Sequence, residues 1–170
     1  MVHIHRGPHH ADLVKLLKSA WEKNELVILI AISVQDFSFV RLFDFSQIAL
    51  HGEWTEDARA QFQNEKHNNS SEAALSEAAL GVFTSGTSTG RGRLVFYSRE
   101  NVLASLGAIR ELFELKRIQK IFCYPQPTHT FGLVLGYFQA ILNQLEVHFY
   151  PGSYSKRAHA HWLEVVDEQN

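Results

Sequence analysis

From residue 94 to residue 150, short apolar runs alternate with stretches of helical periodicity, and that order leaves few architectures open. Residues 94–97 read as a strand, 99–115 as a helix, 118–124 as a strand, 129–143 as a helix and 147–150 as a strand. Ser98 is placed to cap the first helix. Leu103, Leu106, Ile109, Leu112 and Phe113 recur at a spacing that gives this helix an apolar face. The second helix is apolar nearly all round, through Phe131, Leu133, Val134, Leu135, Tyr137, Phe138, Ile141 and Leu142, which predicts burial on every side. The alternation implies an α/β fold: a layered, mixed, partly parallel sheet flanked by helices. A right-handed strand–helix–strand crossover then predicts 121–125 and 147–150 as neighbouring parallel strands, in the same sheet as a strand at 80–83.

The first half is less regular. Asp12 is placed to cap a helix that carries Leu13, Leu16, Leu17 and Ala20 on one face, and Asn24 punctuates its end. Residues 26–32 are continuously apolar and bounded, as a strand buried on both faces requires. Residues 38–45 alternate imperfectly and predict another strand, and 55–66 a weakly amphipathic helix. "SEAALSEAAL" (71–80) repeats a five-residue unit, too briefly for a repeat architecture, and reads as a helical turn or linker into the strand at 80–83.

Between that strand and the next lies "TSGTSTGRGR" (84–93), which packs five hydroxyl residues, three glycines and two arginines. Backbone N–H groups of a glycine-rich turn converge on anions, hydroxyls add donors, and arginine adds a bidentate positive fork. The physical reading is a phosphate-binding loop; a polar β-hairpin connection accounts for the same composition. The Walker A pattern fails, because Gly86 and Gly90 are separated by three residues and no Lys-Ser/Thr follows. The dinucleotide fingerprint fails too, because "GRGRLV" lacks its last glycine and leads into a strand.

An apolar strand, then T-S-G-[ST]-[ST]-G, a basic residue and another strand resembles the phosphate-loop signature of the adenylate-forming superfamily. A second segment agrees: Pro125 and "PTHTFG" (127–132) stand where that family places a P-x-x-H-x-x-G segment opening a buried helix. The likeness runs from about Ala78 to Tyr154. The departures are an extra hydroxyl residue between Gly86 and Gly90, and Gly92 and Arg93 in place of the family's Pro and Lys. The region before the loop is short for the family, which is similar to its smaller members such as O-succinylbenzoate–CoA ligase.

The resemblance implies a two-step reaction. A carboxylate attacks the α-phosphorus of ATP, releasing pyrophosphate with Mg²⁺ sharing its charge, and the acyl group then passes to a thiol, usually that of coenzyme A. Thr84, Ser85, Gly86, Thr87, Ser88, Thr89, Gly90 and Arg93 are the implied phosphate-binding residues. His129 is the implied catalytic-site residue, facing the carboxylic acid; the alternative for His129 is a packing or capping role. No segment matching the family's later motifs, for ribose, hinge and mobile C-terminal domain, occurs before Asn170. The expectation is therefore one α/β domain or fragment: helix and strands over 1–70, phosphate loop and acid pocket over 71–154, and a C-terminal helix over 155–170. The rival is a non-catalytic interaction module that keeps part of the fold.

Composition narrows the partners. A net charge of −2 gives no reason to expect nucleic-acid binding. No apolar run is long enough for a bilayer or has a signal peptide's form, and Cys123 is the single cysteine, so the expected setting is the reducing cytoplasm. Beyond a small carboxylic acid, the expected partner is a second copy, or another chain supplying the missing part. Ten histidines invite a metal. His3, His5, His9 and His10, however, have no cysteine beside them and no predicted rigid element, and read as a mobile tail. His159 and His161, two apart in a helical stretch, point in different directions.

Overall fold

The computed structural model describes residues 1–7, 11–65, 75, 77–83, 93–113, 118–150, 160 and 164. Five strands form the main sheet: β1 (Val2–Arg6), β2 (Leu26–Ile30), β3 (Ile48–Gly52), β4 (Ala78–Phe83) and β5 (Leu94–Ser98), in the order β3-β1-β2-β4-β5. The first four run parallel and β5 is antiparallel to β4. The helices are α1 (Ala11–Lys23), α2 (Glu56–Glu65) and α3 (Arg99–Leu112), followed by a π-helical stretch, Gly132–Phe138, that continues into α4 (Gln139–Asn143). β6 (Lys120–Cys123) and β7 (Glu146–Phe149) complete the described elements.

β2 shows why its sequence is apolar throughout. Val27 and Leu29 face one core with Leu13, Leu17 and Ala20 of α1, Leu80 and Val82 of β4, and Val102 and Leu106 of α3. Leu26, Ile28 and Ile30 face a second core with Ile4, Phe37, Phe39, Val40, Ala58 and Phe62. Side chains alternate across a strand, so a strand with cores on both faces carries no polar position. Asn24 closes the α1–β2 turn in the left-handed region (φ 58°), which asparagine adopts more readily than most residues.

The helical layer over the first core is closed on its far side by the two-stranded sheet. Leu133, Tyr137 and Phe138 of the π-helical stretch reach the first core, and Phe138 meets Trp21 of α1 edge-on at 5.1 Å. Tyr137 stacks on Phe149 of β7 at 4.2 Å. Gln139 donates to the Leu106 carbonyl of α3 at 3.2 Å. This helix thus has packed neighbours on opposite sides, as its all-round apolar sequence predicts. Gly132 and Gly136 permit the approach: a Cβ on Gly132 would collide with the Pro125 carbonyl, and one on Gly136 with Cys123 Sγ.

Four expectations are corrected. Residues 2–6 are not a mobile tail but strand β1, inside the sheet between β3 and β2, with His3, His5 and Arg6 buried. Residues 38–45 do not form a strand. They hold a 3₁₀ turn at Ser38–Leu42, and a second at Phe45–Gln47, where the Asp44 side chain accepts from the Ser46 N–H; Phe37, Phe39, Val40 and Phe43 all fill the second core from irregular backbone. β6 and β7 are parallel neighbours, in the register Ile121↔Val147, but in a sheet of their own. The helices between the two sheets keep them apart. The buried face of α3 is Val102–Leu106–Ile109, while Leu103, Leu112 and Phe113 are exposed. Ser98 does cap α3: its hydroxyl accepts from the Asn101 N–H at 3.1 Å, and Asn101 accepts in return from the Ser98 N–H. Of 155–170, only Ala160 and Glu164 are described, both helical.

Gly136→Ala should lower stability in urea unfolding. Overpacking costs about 1–3 kcal/mol, against a helix-propensity gain of about 1 kcal/mol. Adding Cys123→Ala removes the colliding sulfur and should recover part of the loss. Equal losses with and without the sulfur would contradict the Gly136–Cys123 contact.

Candidate functional site: the β4–β5 hairpin and the segment after β6

The β4–β5 register ends at Phe83↔Leu94, so residues 84–93 connect two adjacent antiparallel strands. Of the expected phosphate-binding residues, Thr84, Ser85, Gly86, Thr87, Ser88, Thr89 and Gly90 lie outside the described residues. Arg93 is described; it is exposed and precedes β5. The connection leaves the carboxyl end of β4, at the same edge of the sheet as the carboxyl ends of β1, β2 and β3. Ligands of open α/β sheets bind at that edge.

His129 follows β6. Its N–H donates to the Gln126 carbonyl at 3.1 Å, and its carbonyl accepts from Leu133 at 3.0 Å, so it sits in the turn that opens the π-helical stretch. Its side chain is exposed, and so is that of Phe131. Behind them the backbone is fixed: Cys123 Sγ lies 3.6 Å from the Pro125 carbonyl and 3.7 Å from that of Gly132. Burial pushes the Cys123 thiol up to about 12, so it stays protonated and is no nucleophile. Arg93 and His129 therefore border different sheets, one opening β5 and the other following β6.

No family model matches the chain, and no curated protein matches it. Solved structures do. O-succinylbenzoate CoA synthetase from Bacillus subtilis, in complex with the acyl-adenylate intermediate OSB-AMP, superposes with a TM-score of 0.64 at 13% identity, over 96% of this chain and 46% of that one. The fold is that of part of an adenylate-forming enzyme. The same synthetase with ATP and magnesium ion gives a TM-score of 0.60 at 13% identity, over 96% of this chain and 37% of that one. VinN gives 0.56 at 11% identity, over 86% and 42%. The chain thus spans less than half the length of these proteins. No described helix is long and apolar enough to cross a membrane.

Sequence reasoning missed a polar cluster on β1. His3 Nε2 meets Glu25 Oε2 at 2.9 Å, and His3 Nδ1 meets Nε2 of His51, on β3, at 3.0 Å. The strand register aligns His3 with Ala49 and His5 with His51, so the three imidazoles share one face of the sheet. The V-H-I-H-R alternation of residues 2–6 was the available signal. The hydrogen bond from His3 holds Glu25 below the ordinary carboxylate value, against an opposing effect of burial. Burial lowers the pKa of His51, and the neighbouring His3 lowers it further.

Both groups are depressed in the folded state relative to the unfolded chain. Their stabilisation is complete above the unfolded values, near 6.5 for His51 and 4.5 for Glu25, and is lost as pH falls through the folded ones. Unfolding free energy measured against pH should therefore decline below 6.5 and again below 4.5. His51→Gln should flatten the first decline and Glu25→Gln the second; unchanged slopes in both variants would rule out these assignments.

Proposed function

We propose that this chain carries the phosphate-binding and acid-pocket part of an ATP-dependent, acyl-adenylate-forming carboxylate–CoA ligase. The observation that carries the reading is the coincidence of two independent facts. The fold is shared with adenylate-forming enzymes over nearly the whole chain, and the hydroxyl- and glycine-rich segment 84–93 connects β4 to β5 at the carboxyl edge of the sheet. Residues 84–90 would supply amide and hydroxyl donors to the β- and γ-phosphates, and Arg93 a planar fork in place of a lysine point charge. Those donors would stabilise negative charge as pyrophosphate leaves. The exposed Arg93 fits an anion that arrives from solvent. No group of three or more His, Cys, Asp or Glu among the described residues could hold a metal ion, so Mg²⁺ would come with the nucleotide. His129, with Phe131 beside it, would border the carboxylic acid, and coenzyme A would be the thiol acceptor.

A second reading has its own support. Leu103 and Leu112 of α3 and Phe113 at its C-terminal cap are 52%, 76% and 60% exposed, and apolar exposure of that kind suits a protein partner: a second copy, or a chain that completes the fold.

Titration with Mg-ATP, read by backbone-amide NMR at low salt, separates the two. Binding should be weak, should perturb the amides of residues 84–93, and should fade as salt screens the phosphate contacts. Arg93→Ala should weaken it about tenfold, the value of one charge-assisted contact. An ATP-silent chain that sediments as a dimer would support the interaction module instead. Carboxylate-dependent pyrophosphate exchange by this polypeptide alone should stay at background, since positioning and charge stabilisation must come from several sides.

A further inference from the structure

The edge strand of the main sheet is fastened by titratable side chains. Among the described residues β3 pairs with β1 alone, while β1 also pairs with β2, and β2 with β4. β3 can therefore leave without breaking any other of these pairings. Its residues are half-buried or exposed, whereas four of five in β1 and all five in β2 are buried. Local opening costs least where apolar burial is least.

A side-chain tie between β1 and β3 joins two imidazoles. His3 Nδ1 lies 3.0 Å from His51 Nε2, with the ring centroids 5.1 Å apart and the planes at 48°. His3 Nε2 meets Glu25 Oε2 at 2.9 Å. Glu25 is held ionised and only accepts, so His3 Nε2 carries a proton. The two facing nitrogens then share one proton, whichever ring owns it. A first additional proton leaves this bond intact, because the charged ring can donate to the neutral one. A second puts an N–H on both facing nitrogens, and two donors and two like charges then confront each other.

The groups facing His51 are His3 and His5 of β1. Asp12 of α1 and Glu53, just past β3, line with it a cleft of about 420 Å³ at the carboxyl ends of the two strands. Glu25 reaches His51 through His3, and Lys23 and the N-terminal ammonium act on Glu25 in turn. The cleft gives solvent protons access to the half-buried His51. Burial and His3 both oppose charge on His51 in the closed sheet, so the doubly protonated pair belongs to the open one.

We propose that the His3–His51 pair is a pH-sensitive latch: it holds β3 against β1 at neutral pH, and protonation of both rings releases β3 while β1, β2 and β4 stay paired. The latch is fully closed above the unfolded value of His51, near 6.5, and weakens as pH falls through the lower folded one. Release uncovers the edge of β1 and one side of the cleft.

Amide hydrogen exchange of the full chain, followed by NMR from pH 8 to pH 5 and corrected for the intrinsic rate at each pH, tests the latch. Glu53 N–H donates to the Arg6 carbonyl at 2.7 Å, and by the two-residue period of a strand the amides of Ala49 and His51 face β1 as well. Their protection should fall about tenfold or more over this range, as one proton bound only in the open state requires. It should stay below that of β2 and β4 at every pH, and depend less on urea, because opening one strand exposes less surface than unfolding the chain. His51→Gln, whose amide can bond to His3 without titrating, should abolish the fall at β3. Three results would each overturn the proposal: constant protection of β3 across the range, protection and urea dependence equal to those of β2 and β4, or an unchanged fall in the variant. The first two are read on the wild-type chain alone.

Discussion

Parallel strands are stable only when both of their faces are covered, and the whole arrangement follows from meeting that demand at β1, β2 and β4. α1, α3 and the π-helical stretch cover one face. The 3₁₀ turns and α2 cover the other, with an aromatic cluster in which Phe62 lies within 6.0 Å of Phe37, Phe45 and Trp54. The helical layer then has an outer side of its own to bury. Tyr137 on Phe149 and Gly136 on Cys123 bury it against β6 and β7. Each layer thus exists because the one beneath it would otherwise face water.

Elements with one dominant physical signal were legible in the sequence. α1 has its apolar stripe, β2 its unbroken apolar run, and α3 its capping serine with an asparagine three residues on. The errors came where tertiary packing decides. β1 was hidden because three of its five side chains are His or Arg, which read as solvent-seeking until hydrogen bonds to Glu25, His51 and main-chain carbonyls accommodate them in the fold. In 38–45 the phenylalanines are a property of the cluster they join and not of a backbone period. On α3, Val102 takes the inward position and Leu103 the outward one, on the side where Gln139 of the neighbouring helix bonds the Leu106 carbonyl.

The candidate site was legible to a different degree. A glycine- and hydroxyl-rich loop between two apolar runs can be recognised from composition, and the β4–β5 pairing places its two ends side by side. The helix opened by His129 was visible as an apolar block. What the sequence could not supply was the separation of the two sheets, because alternating strands and helices are equally compatible with one sheet or two. Gly132 and Gly136 mark the contact: the backbone of residues 125–126 approaches the first, and the Cys123 side chain of β6 the second.

The parallel strands also decide where chemistry can sit. Their carboxyl ends share one edge, and at each end the chain must leave the sheet. β4 leaves into 84–93. β1 and β3 leave to opposite faces, and a cleft lined by His5, His51, Gly52 and Glu53 borders their ends. A strand end can carry a charged or strained residue that a strand middle cannot, because its backbone groups bond to loops instead of a ladder. Arg6 and Gly52 show the difference. Arg6 spends its donors on carbonyls just beyond the strand ends, and Gly52 takes a backbone angle closed to residues with side chains. His5 with His51 and Arg6 with Gly52 both keep the ladder register. The polar groups of this half of the molecule therefore gather on the last residues of β1 and β3.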